Sequence, residues 1–174
     1  MSMNDLLLAQ FQRLHGNLDK VALGLTQEQL YWCPGENSNN IAFCLWHYAR
    51  SEDNNVRWNY QNRRPTVWLE EGWNDKFGLD KVKQGTGMSH QEVEAIRFPS
   101  IDELLSYMSH VWQSTDDFVR SASLADLEQL VGANPRPGAT LANGLAYTVA
   151  HGSGHLGEIW TIRGLLGMGN GSPI

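Results

Sequence analysis

Charge and cysteine are both scarce in this chain of 174 residues, and each scarcity excludes something. Charged residues make up 18% of it, with 19 acidic against 13 basic side chains, a net charge of −6 and a pI near 5.4. No segment carries a basic stripe, which argues against a phosphate backbone as partner. No apolar run approaches about 18 residues, so no membrane span is expected. The opening Met1 to Asp5 lacks a basic stretch followed by a sustained apolar one, and the expected location is the cytoplasm. Cys33 and Cys44 form neither a C-x-x-C motif nor a multi-cysteine framework, so a disulfide is not needed. Internal repeats and low-complexity tracts are absent as well. What is present is 41% hydrophobic content, enough for one domain over residues 1–174 with a sizeable core.

Four long segments carry helical periodicity. Leu7, Phe11, Leu14, Leu18, Val21 and Leu25 alternate four and three apart, which predicts an amphipathic first helix fraying near Gly24. Thr26-Gln-Glu-Gln29 reads as a capping box for a short turn ending before Pro34. A second helix is expected after Ser38-Asn39-Asn40, running to about Asn62, its first half from Ile41 to Trp46 apolar on all sides and therefore buried all round. Ser100-Ile-Asp-Glu103 reads as a capping box for the third, whose apolar face runs from Ile101 to Val119. The fourth is expected to begin at Thr140, after Pro135-Arg-Pro-Gly138, and to stop at Gly167. Between the second and third lies Arg63 to Pro99, too long for a hairpin and suited to the crossover of a four-helix bundle. Its Trp68, Trp73 and Phe77 are expected to pin that crossover onto the bundle, or to roof a pocket at one end.

His151 and His155 stand one turn apart in the fourth helix, and His155 falls on the 4,3 seam of Leu141, Leu145, Thr148, Gly152, Ile159 and Ile162, where a leucine is expected. An imidazole buried there needs internal partners. A divalent metal supplies them to both rings; a satisfied core or capping pair is the alternative. Thr148, Gly152 and Gly154 remove volume beside the rings, which favours the ligand reading. A third ligand is then required, and His47 is the best candidate, because Cys44, Ser51, Asn54 and Trp58 fall within about 60° of it and make an inward polar face on the second helix. His15, His90 and His110 are expected at the surface, the last beside Tyr107. Glu158, three residues after His155, is the candidate proton carrier or orienting carboxylate. Glu52 and Asp53 point away from His47 and are expected in surface or interhelix ion pairs. A di-iron carboxylate site does not fit, since the chain offers His-x-x-Glu once and in the reverse order.

Asn39-Asn-Ile-Ala-Phe-Cys-Leu-Trp-His-Tyr-Ala-Arg-Ser-Glu-Asp53 and Val149-Ala-His-Gly-Ser-Gly-His-Leu-Gly-Glu-Ile-Trp-Thr-Ile-Arg-Gly-Leu-Leu-Gly167 together resemble the DinB/YfiT-like superfamily, which includes bacillithiol transferases and mycothiol-dependent maleylpyruvate isomerases. The resemblance spans essentially the whole chain. It implies an all-α four-helix bundle with a long crossover between helices two and three. It also implies a histidine triad binding zinc, nickel or a similar divalent ion, mapping onto His47, His151 and His155.

Three neutral imidazoles leave a divalent ion its charge and an open position, so a bound thiol or water becomes easier to deprotonate. The expected function is metal-dependent activation of a low-molecular-weight thiol or water, as a thiol transferase or thiol-dependent isomerase. The alternatives are a metal-dependent hydrolase and a metal-binding or stress protein without turnover. The expected partners are a small-molecule substrate, with a low-molecular-weight thiol as cosubstrate, and a second copy of the chain in a homodimer.

Overall fold

A computed structural model describes residues 2–131 and 139–168, and every regular element among them is helical, in keeping with the all-α expectation. The elements are α1 (Met3–Ala22), α2 (Gln27–Tyr31), α3 (Ile41–Asp53) continued by a π-helical segment (Asn54–Asn59), α4 (Val67–Glu70), α5 (Trp73–Phe77), α6 (His90–Ala95), α7 (Ile101–Ser121), α8 (Leu124–Glu128) and α9 (Leu141–Leu165). The expected turn at Pro135 to Gly138 lies outside the described residues.

Capping chemistry sets the starts. Reciprocal boxes open α1 (Ser2 and Asp5), α2 (Thr26 and Gln29), α6 (Ser89 and Glu92), α8 (Ser123 and Asp126) and α9 (Thr140 and Asn143). At α7 only half of the expected box forms: Ser100 accepts from the Glu103 amide, while Glu103 Oε2 has no partner. Asn40 caps α3 by accepting from the Phe43 amide. Gly24, at φ 73°, takes the chain out of α1 in a left-handed conformation that costs glycine little.

The long helices pack in a ring: α1 lies against α7 and α9, and α3 lies against the same two. Leu7, Phe11, Leu14, Leu18 and Val21 form the buried stripe of α1 as their spacing predicts. All thirteen residues of α3 are buried, because α2 and the crossover cover the side that the ring leaves open. The core has two parts. The larger surrounds α3 and the crossover; the smaller joins Leu7, Phe11, Val56, Val119, Leu127, Leu141 and Leu145 at the other end.

The crossover is pinned through Trp68, Trp73 and Phe77, all buried, whose rings contact Tyr107 of α7 at centroid distances of 5.2, 5.7 and 6.4 Å. Tyr107 is therefore core, not the solvent-facing neighbour of His110 that the sequence suggested, although His110 itself is exposed. Asp53 fixes the same region. Its carboxylate accepts the amides of Val67 and Trp68, each at 2.9 Å, and the Tyr107 hydroxyl at 3.3 Å. Glu52, also fully buried, accepts from Thr115 at 2.6 Å and pairs with His15 at 3.0 Å. Both carboxylates thus bridge elements as one branch of the expectation held, but neither is at the surface. His15 was expected there too; it is 4% exposed and stacked on Trp112 at 3.9 Å. His90 is half-buried, 3.5 Å from Glu94.

Candidate metal centre

Two adjacent helices supply three imidazoles. His47 comes from the middle of α3, 8% exposed, and His151 and His155 come from α9, both half-buried. Because α3 and α9 pack together, the rings meet: the centroids of His47 lie 5.3 Å from His151 and 4.9 Å from His155, and those of His151 and His155 lie 4.7 Å apart. One ring nitrogen from each falls within 4.8 Å of the other two.

The outward nitrogens of two rings are held by acceptors. His47 Nδ1–H donates to the carbonyl of Gln84 in the crossover. His155 Nδ1–H donates to Glu158 Oε2 at 3.0 Å, and Asn39 Nδ2 holds the other oxygen of that carboxylate at 2.7 Å. We assign the tautomers from these acceptors: an occupied Nδ1–H leaves Nε2 as the lone-pair nitrogen. His155 Nε2 is 3.1 Å from His151 Nε2. At that distance the two nitrogens share either a proton, with His151 Nε2–H donating, or a cation that takes both lone pairs. With one nitrogen of each of three imidazoles converging, the donor set fits a divalent cation with imidazole preference.

The electrostatics favour the neutral forms of His47 and His151. Burial pushes His47 below the usual histidine range, against an opposing pull from the Gln84 carbonyl. Burial, then the neighbouring His155 and His47, brings His151 down to about 4. The hydrogen bond from His155 holds Glu158 below the ordinary carboxylate range, so it is ionised at neutral pH. Cys44, fully buried one turn before His47, has its thiol pushed well up by burial and by Glu158. With His155 and Glu158 it makes a second group of ligand atoms lying within 4.8 Å of one another.

A cavity of about 490 Å³ opens over the imidazoles, within the size range of small-molecule sites. Phe43 and Tyr147 flank it, and the segment Gln84 to Met88 forms its roof. The roof is thus made of crossover backbone and not of Trp68, Trp73 and Phe77, which went into the core. Gly85 permits the close approach: it sits at φ 99°, and a Cβ there would lie 2.8 Å from His47 Nδ1. Ser51 and Asn55 line the cavity along α3. The sequence placed Asn54 on that face; the wider π-helical turns that begin at Asn54 rotate less per residue and bring Asn55 round instead. Trp58, expected on the same face, is 42% exposed.

On α9 the seam is displaced. Leu156, 4% exposed, fills the core position, and His155 flanks it on the cavity side. The glycines also serve other ends than the sequence suggested. Gly152 makes room for the ring of Tyr48 and for Leu14, while nothing approaches Gly154. Sequence reasoning identified the three histidines and Glu158 but missed Gln84, Gly85, Asn39 and Tyr147. The glycines at 85 and 87 were the available signal, since a crossover that must lay its backbone against a side chain needs residues without one.

A family profile described as the DinB superfamily matches residues 10–159. Among solved structures, a conserved protein from Enterococcus faecalis is similar in fold, with a TM-score of 0.84 at 19% identity, covering 96% of this chain and 99% of that one. No curated protein matches the sequence.

Proposed function

The chain belongs to the DinB superfamily, and from that premise and the convergence of His47, His151 and His155 we propose that it is a metal-dependent enzyme activating a small thiol. The observation that carries this reading is the convergence of one nitrogen from each of three imidazoles within 4.8 Å, with the outer nitrogens of His47 and His155 already committed to Gln84 and Glu158. The three histidines would hold zinc or nickel, both suited to imidazole. A divalent ion so held supplies an electrophilic centre that eases the ionisation of a thiol or water bound beside it.

The chain's own residues do the rest. Gln84 and Glu158 orient two imidazoles and fix their tautomers, so that little reorganisation is needed when a ligand arrives. Glu158 stands behind His155 and does not line the cavity; it acts as a positioning residue whose negative charge makes His155 a stronger donor. Asn39 holds that carboxylate in place. The Gln84 to Met88 roof and Phe43 limit the water that reaches a bound ligand. No Asp or Glu is among the described residues lining the cavity. A thiol ionises far more readily than water before any cation acts on it, about 8.5 against 15.7, so without a carboxylate in the cavity to take a proton the thiol reading is favoured over the hydrolytic one.

Purified protein is expected to carry about one divalent ion per chain by elemental analysis, and His151→Ala or His155→Ala to lose it. Adding a small thiol to the cobalt-substituted protein should produce a sulfur-to-metal charge-transfer band, abolished by His47→Ala. Because Cys44 lies near His155, the titration belongs in a Cys44→Ser background. Native metal content in either alanine variant, or a band unaffected by loss of His47, defeats the proposal.

A further inference from the structure

The cavity above the imidazoles has a polar lining without formal charge. Asn39, Ser51, Asn55, Gln84 and Thr86 contribute amides and hydroxyls, and none of the described lining residues is Lys, Arg, Asp or Glu. Phe43, Met88 and Tyr147 supply the apolar part, with the Tyr147 ring lying nearly parallel to His151 at 6.3 Å. The nearest carboxylate, Glu158, is turned away and occupied on both oxygens by His155 and Asn39.

Two of these polar groups have capacity to spare. Asn55 spends its Nδ2 on one long bond to Thr148, 3.4 Å, and its Oδ1 on Asn59, so one amide hydrogen stays free. Ser51, 7% exposed, makes no side-chain hydrogen bond among the described residues. An incoming ligand meets the Ser51 hydroxyl on α3 and the Asn55 amide on its π-helical continuation, with no cation among the described lining residues to compensate an anionic group away from the metal position.

From this lining we infer that the cavity selects an uncharged ligand bearing hydroxyl or amide groups, and discriminates against thiols that carry a carboxylate. The inference rests on the metal-site reading and adds the substrate class to it. A carboxylate entering such a cavity loses hydration and gains no cationic partner. A hydroxyl or amide hydrogen instead meets the Ser51 oxygen, and a carbonyl or hydroxyl oxygen meets the free hydrogen of Asn55.

The test uses two thiols of nearly the same shape, N-acetylcysteine amide and N-acetylcysteine, which differ by one negative charge at neutral pH. Each is titrated at low salt into cobalt-substituted protein carrying Cys44→Ser, and the sulfur-to-cobalt band is the binding readout. The amide is expected to bind at least about tenfold more tightly. Thr86→Lys places an ammonium at the exposed rim of the cavity and is expected to raise the affinity for the acid at least about threefold, shrinking the ratio. Equal or tighter binding of the acid to the Cys44→Ser protein overturns the inference alone, and so does a ratio indifferent to Thr86→Lys. Cobalt-loaded protein that shows no band with either thiol overturns the thiol reading and the inference with it. Failure to hold cobalt, seen by elemental analysis, overturns the metal site on which both stand.

Discussion

At the scale of single residues, the site is built by burying imidazoles beside one another, and the consequence is testable through pH. His151 has its pKa brought from 6.5 down to about 4 by burial and by its two histidine neighbours. The unfolded chain therefore binds a proton at this residue between those values while the folded chain does not. Stability must rise with pH across that window and be lost as pH falls from about 6.5 towards 4. Burial lowers His47 in the same direction. The hydrogen bond that lowers Glu158 adds a loss only at more acid pH, as that carboxylate is protonated. Urea midpoints of chelated protein, measured from pH 7 to pH 5, should fall, and His151→Gln should flatten the profile. Parallel profiles for the two proteins would show that the environment of His151 does not disfavour its charged form.

The crossover shows how one element places another. Its free backbone ends at Val67 and Trp68 are tied to Asp53 on α3, and further along the same segment the roof residues Gln84 and Gly85 reach His47. Asp53→Ala removes the acceptor for two buried amides and one hydroxyl, and each buried group left unpaired costs about 1–3 kcal/mol. The expected result is a loss of at least about 2 kcal/mol in urea unfolding, with new protease cleavage in the segment Arg63 to Pro99. An unchanged cleavage pattern would mean that the aromatic contacts alone hold the crossover. The long helices were legible in the sequence because each buries a stripe of fixed period, and the length of the crossover was legible from the gap between stripes. What the crossover lies against was not, since Asp53 and Tyr107 are separated from their partners by long stretches of chain. His15 was misread for the same reason: periodicity places it one residue off the Leu14 stripe, and only tertiary packing brings Trp112 of α7 and Glu52 of α3, the latter held by Thr115, against it. The histidine triad was legible as residue types at helical spacing. The identity of the core residue on α9 was not, because His155 and Leu156 are adjacent and a small rotation of the helix exchanges their roles.

For the molecule as a whole, the question is whether the fold needs the metal. The buried stripes of α1 and α7 are continuous and contain none of the three histidines, and of the three only His47 is buried, stacked on Phe43. The imidazoles sit at the edge of the α3 and α9 contact, where a cation binds a preformed arrangement and does not have to create it. This differs from a zinc finger, in which the ligands are the core. Binding to the folded state alone then adds RT ln(1 + [L]/Kd), about 2.7 kcal/mol at a free metal concentration a hundred times Kd. For a chain of this length that corresponds to roughly 5–10 °C in Tm. Chelation should leave the far-ultraviolet circular dichroism of the helices intact at 25 °C while lowering Tm by that amount, and restoring zinc or nickel should recover it. If the helical signal collapses on chelation, the three histidines hold the fold together, and a ligand set needed for folding is poorly suited to keep a position open for substrate.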